Sequence, residues 1–173
     1  MSVVIATSRL KGVHMTSDLL VCGGSKPYMS ASKVALYGRT LVGCVGGMPN
    51  IARLRASGDL EELALSETLD LPGLDKWWSD HYEAFAGDDE CDVLLARPGS
   101  PLVALDASGP SFIRDDVYAT GSGAAAALGA FYALEAHTRS GSSMLTQAIL
   151  AAGAVDPFCG GVSPVLTVLT EEE

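Results

Sequence analysis

The order in which the hydrophobic period changes along the chain constrains this sequence more than any single motif. Up to Met48, short apolar runs of strand length alternate with turn residues; beyond it, the spacing lengthens to that of helices. Ile51, Leu54, Leu60, Leu63 and Leu65 recur at roughly helical intervals after Pro49-Asn50, with an interruption at Gly58. A second helix is predicted from Leu74 to Phe85. It carries Trp77 and Trp78, which read as packing residues because adjacent helical positions cannot share one face. Strands return at Cys91 to Ala96, Leu102 to Leu105 and Ser111 to Tyr118, separated by Arg97-Pro98-Gly99-Ser100-Pro101 and Ala107-Ser108-Gly109-Pro110. Helices over Gly123 to His137 and Ser142 to Gly153 and a strand over Val162 to Leu169 complete the chain.

Strands, two helices, strands, two helices and a strand suit two antiparallel sheets stacked face to face with a helical layer outside each. The expected fold is therefore α+β, a four-layer α/β/β/α sandwich. No internal repeat or linker divides the sequence, so one domain is expected over all 173 residues. The run Ala124-Ala125-Ala126-Ala127 belongs to a helix, because Leu128, Phe131, Tyr132 and Leu134 continue it at helical spacing.

Composition excludes several function classes. A hydrophobic content of 48% supports a packed core. No apolar run approaches the ~18 residues of a membrane span, and no secretory signal pattern is seen at the start of the sequence. The net charge of -10 argues against nucleic acid as a partner, since that affinity rests on Lys and Arg neutralising phosphates. Asp88-Asp89-Glu90 and Glu171-Glu172-Glu173 read as solvated acidic clusters. Cys22, Cys44, Cys91 and Cys159 are scattered without a C-x-x-C pair, which suits a reducing cytoplasm. His14, His81 and His137 lack metal-ligand spacing, and no metal or cofactor is expected.

Ser2 is the chemical focus. If Met1 is removed, Ser2 carries both a hydroxyl nucleophile and a free α-amine, a base with an ordinary pKa of about 8 that needs no second residue to reach that hydroxyl. A serine after the initiator Met is also an ordinary beginning for a protein, so the remaining residues must carry the argument.

Five blocks do so together. They are the opening strand with Leu10-Lys11-Gly12 and Val13-His14-Met15-Thr16-Ser17-Asp18; Ser30-Ala31-Ser32-Lys33-Val34; Leu41-Val42-Gly43-Cys44-Val45-Gly46-Gly47; Thr120-Gly121-Ser122-Gly123 before its Ala-rich helix; and Asp156-Pro157-Phe158-Cys159-Gly160-Gly161. In this order the sequence resembles the proteasome β-subunit family and its bacterial relative, the peptidase ring of the two-component ATP-dependent protease.

The resemblance implies that Ser2 attacks a peptide carbonyl, that Lys33 stands beside it, that Asp18 holds the Lys33 ammonium, and that Gly43 offers an N–H to the oxyanion. It further implies that Ser122, Asp156 and Cys159 surround the terminal amine, and that Val21, Ala31, Ala35, Leu41 and Val45 form an apolar pocket for the residue before the scissile bond. Each residue also has a structural reading. Asp18 and Lys33 suit an ion pair between neighbouring strands, Gly43 a packing glycine, Ser122 a helix start and Asp156 a turn cap before Pro157.

Ser2 replaces the family's usual Thr, whose methyl group restricts the rotamer. Cys159 replaces its usual Ser with a weaker hydrogen-bonding group. The intervals from Asp18 to Lys33 and from Lys33 to Gly43 are shorter than the family pattern. The implied assembly is a homo-oligomeric ring enclosing its sites, fed with polypeptide substrate by an ATPase unfoldase ring. The alternative is a catalytically silent subunit of the same fold with an assembly role, as in a phage-like particle.

Overall fold

The computed structural model describes residues 2–23, 26–29, 32–67, 69–86, 90–137 and 140–170. Strands β1 (Val4–Leu10), β2 (Gly12–Ser17), β10 (Val117–Thr120) and β11 (Leu166–Val168) form one sheet in the order β10-β1-β2-β11. A second sheet has the order β5-β6-β7-β8-β9, comprising Val34–Tyr37, Thr40–Gly46, Cys91–Ala96, Leu102–Asp106 and Gly109–Ile113. The hairpin of β3 (Leu20–Gly23) and β4 (Lys26–Met29) stands as a separate two-stranded sheet. All of these pairings are antiparallel.

The alternation of side chains along each strand builds the layers. Val4, Ala6, Val13 and Met15 point from the first sheet toward Val34, Leu41, Val45 and Leu94 of the second, making the inter-sheet core. Their sequence neighbours Val3 and Ile5 point outward and pack on α4 (Ala124–Glu135) and α5 (Gly141–Val155) through Phe131, Leu145 and Ile149. On the opposite outside, Val42, Cys44, Val93 and Leu95 meet α1 (Met48–Ser57), α2 (Asp59–Leu65) and α3 (Leu71–Asp80) through Ile51, Leu54, Leu60 and Leu74. The four-layer sandwich follows directly.

Four boundaries differ from the sequence expectation, the simplest being the last strand, expected over Val162 to Leu169 and found only over Leu166–Val168. Gly58, in the left-handed region at φ 84°, caps α1 and starts α2, so the first helical run is two helices meeting at a corner. The second predicted helix begins at Leu71, where Asp70 caps it by accepting from the Gly73 N–H at 2.8 Å, and ends at Asp80 before a short 3₁₀ turn, Tyr82–Ala84. The single strand expected over Ser111 to Tyr118 is two strands in different sheets, β9 and β10. Arg114, Asp115 and Asp116 turn the chain between them, a charged corner at the sandwich rim. Trp77 and Trp78 both pack against the outer helical core, as expected of packing residues.

Candidate active site

Asp18 and Lys33 come together as the most buried charge pair described, with side-chain exposures of 0% and 7% and Nζ–Oδ1 at 2.6 Å. Burying two charges is favourable only when every polar atom is satisfied, and here the requirement is met. Lys33 Nζ also donates to the Leu20 carbonyl at 2.7 Å and the Asp18 carbonyl at 3.3 Å. Asp18 accepts from the Val3 N–H at 2.9 Å, the Leu20 N–H at 3.0 Å and the Gly160 N–H at 3.4 Å. Local strand geometry makes this possible. Asp18 leaves the end of β2 with its own N–H bonded to the Val3 carbonyl at 3.1 Å, while the Lys33 N–H, just before β5, donates to the Ser17 hydroxyl at 3.3 Å.

Ser2 is buried at the edge of this pair, just before β1. Its carbonyl accepts from the Gly123 N–H at 3.4 Å and the Ser122 hydroxyl at 3.5 Å. Gly121 is in the positive-φ region, and a Cβ there would stand 2.2 Å from the Ser2 carbonyl oxygen, so only glycine allows the turn to approach this closely. Ser122 and Asp156 also meet. The single Ser122 O–H lies within reach of both the Ser2 carbonyl and the Asp156 carboxylate; with the Phe158 N–H it holds the Asp156 carboxyl below the usual carboxylate range. Asp156 is thus a turn cap as well, accepting the Phe158 N–H at 2.9 Å. Cys159 Sγ donates to it at 3.4 Å. Burial, reinforced by the hydrogen bond to Asp156, pushes the Cys159 thiol up to about 12, so it remains a neutral donor rather than a rival nucleophile.

A cavity of about 100 Å³ opens beside Ser2 and Lys33, lined further by Cys44, Val45, Gly46, Met48, Ile51 and Arg55. Gly43 is not on it. The Cys44 N–H bonds the Lys33 carbonyl at 3.1 Å, so strand alternation turns the Gly43 amide the other way, toward Leu94 of β7. A Cβ at Gly43 would lie 2.5 Å from Val4 Cγ1 and 2.9 Å from Met15 Sδ, which makes it the glycine that lets the sheets close. The same alternation turns the Gly46 amide to the β5 side, beyond Val34 where β5 begins, at the cavity wall. Gly47 is committed elsewhere, its N–H donating to the Glu90 carbonyl at 2.7 Å.

Of the four described residues expected around the substrate, Val21, Ala35, Leu41 and Val45, only Val45 lines this cavity. Leu41 has the same strand parity as Val45 but lies four residues deeper in the sheet, and its side chain fills the inter-sheet core. Ala35 is half-buried on β5 and Val21 is buried on β3, both away from the cavity lining. Ala31 lies outside the described residues. The wall that sequence reasoning missed is the face of α1 bearing Met48, Ile51 and Arg55, whose spacing of three and then four residues was the available signal. Arg55 Nη2 donates to the Lys33 carbonyl at 2.8 Å. Burial raises the Cys44 thiol pKa, an effect the adjacent Arg55 partly offsets.

Among the described residues, no three His, Cys, Asp or Glu side chains gather as metal ligands, and no helix is long and apolar enough to cross a membrane.

No protein-family profile matches the chain, and no curated protein matches it significantly in sequence. Solved structures do match. Thiobacillus denitrificans BPH in complex with epoxomicin superposes with a TM-score of 0.77 at 20% identity, over 97% of this chain and 100% of that one. A second structure of BPH gives 0.75 at 19%, over 98% and 100%. Eukaryotic HslV from Trypanosoma brucei gives 0.75 at 16%, over 97% and 99%. Across nearly its whole length the chain has the four-layer fold of BPH and HslV.

Proposed function

We propose that this chain is the peptidase subunit of a self-compartmentalised ring protease, with Ser2 as nucleophile once Met1 is removed. The observation that carries this reading is the convergence of Ser2, the saturated Asp18–Lys33 pair and Gly46 around one cavity. In this reading the Ser2 hydroxyl oxygen attacks the substrate carbonyl and its proton passes to the freed α-amine. The Lys33 ammonium favours the developing alkoxide electrostatically, and Asp18 fixes its position. The tetrahedral oxyanion takes the Gly46 N–H, the role that the family pattern gave to Gly43. One such donor accounts for about 100- to 1,000-fold in rate in other hydrolases. Collapse releases the amine product and leaves an ester on Ser2, which water cleaves. Ser122, Asp156 and Cys159 hold the backbone and amine of Ser2 in register.

By analogy with the fold, the assembly is a cytoplasmic homo-oligomeric ring that an ATPase ring supplies with unfolded polypeptide. The binding of epoxomicin by BPH makes that compound a suitable ligand to try here.

The deciding experiment joins intact mass, light scattering and peptide hydrolysis. Loss of Met1, a ring-sized particle and turnover that falls at least about 1,000-fold in Ser2→Ala are expected. An assembled ring that retains Met1 and hydrolyses nothing would instead identify a silent assembly subunit.

A further inference from the structure

The cavity beside Ser2 contains two cations in unlike states. Lys33 is neutralised by Asp18 and surrounded by carbonyls. Arg55 bonds the Lys33 carbonyl through Nη2 and lies against the Cys44 sulfur, and no carboxylate among the described residues pairs with it. A guanidinium has five N–H donors in a fork that matches a carboxylate, so most of this one's capacity is unspent. Val45, Met48 and Ile51 give the same cavity an apolar wall, where a charge-assisted bond is weakened less by water than at an open surface.

The geometry points to Arg55 as the specificity-determining residue of this pocket, selecting an acidic side chain, glutamate above all, on the residue before the scissile bond. This inference rests on the peptidase reading above and replaces the apolar preference expected from sequence. A leucine side chain would fill the collar and leave the guanidinium unpaired. A lysine or arginine would bring a second cation against it. Glutamate satisfies both parts of the cavity: its methylenes meet Val45 and Ile51, and its carboxylate pairs with Arg55.

The test separates recognition from chemistry. Binding of fluorescein-labelled, product-length peptides ending in Glu, Leu or Lys is measured on the full Ser2→Ala chain by anisotropy, and turnover of the matching fluorogenic substrates on the Ser2 protein. The Glu peptide is expected to bind about 10- to 100-fold tighter than the Leu peptide. Arg55→Met should abolish that preference, Arg55→Lys should retain part of it, and Arg55→Glu should transfer it to the Lys peptide. Arg55→Lys guards against mistaking a folding defect for lost recognition. Tightest binding of the Leu peptide, or a ranking unchanged in Arg55→Met, would overturn the assignment. Selective Glu binding without turnover would uphold the subsite while removing the peptidase reading; turnover of Leu substrates with no Arg55 dependence would do the reverse.

Discussion

The two sides of Ser2 are built to different standards. On one side, Asp18 and Lys33 are sealed from solvent and joined at 2.6 Å, and each polar atom has further partners from backbone segments distant in sequence. On the other, Ser122 is exposed, and the contacts to the Ser2 carbonyl and to Asp156 from Cys159 run from 3.4 to 3.5 Å. The buried side is structural as much as chemical: it ties β1, β2, β3 and the approach to β5 into one corner. The open side trims the orientation of a backbone that the first has already placed. A charge pair lodged in a core is costly to break by halves, whereas a surface cluster loosens by degrees.

Breaking the buried side should have the largest effect. Asp18→Ala leaves the Lys33 ammonium buried without its carboxylate and should cost about 3 to 5 kcal/mol, measured by urea unfolding. A cost under about 1 kcal/mol would place the pair with ordinary surface ion pairs and erase the contrast. Next comes the seam between the sheets. Gly43→Ala forces a methyl group against Val4 and Met15, for an expected loss of about 1 to 3 kcal/mol. An unchanged unfolding midpoint would show that the sheets can part at this point.

The open side should respond least. Asp156→Asn is expected to change stability by less than about 1 kcal/mol at neutral pH. The sign with pH is fixed by the depressed Asp156 pKa. Its folded-state value lies below the unfolded one, so its contribution is present above about pH 4 and is lost as pH falls through the folded value. Acid unfolding of Asp156→Asn should therefore be slightly flatter than that of the parent in this range. A steeper acid limb in the variant would contradict the hydrogen-bonding assigned to Asp156.

Much of the fold was legible because apolar runs of strand length stand between turn residues. Val3 to Ala6 and Leu41 to Val45 are short apolar runs of strand length, as strands covered on both faces must be, and in the folded chain their alternate residues serve the inter-sheet core and the helix-facing cores. The division of Ser111 to Tyr118 between two sheets was not legible, since β-propensity does not say which sheet a strand joins. At the site, the order of Asp18, Lys33, Ser122 and Asp156 was informative because each lies at the end of an element, where a motif fixes place. The pocket was not, because its wall comes from one face of α1. Arg55 is brought beside Lys33 only when the helix folds back over β6, a relation that no local spacing in the strands contains.

Trp77 and Trp78 neighbour one another on α3. The Trp77 ring stacks on His81 at 4.2 Å between centroids, and the Trp78 indole donates to the Asp106 carbonyl at 2.8 Å. As the chain has only these two tryptophans, its intrinsic fluorescence is an observer stationed in one outer layer. Emission follows the departure of α3 from the second sheet. The α4–α5 layer, which lies behind the Ser2 strand, is silent to it. Tracking emission together with far-ultraviolet dichroism thus gives separate clocks for the two sides of the sandwich. Coincident curves would mean that the corner at Asp18 and Lys33 makes the layers melt as one.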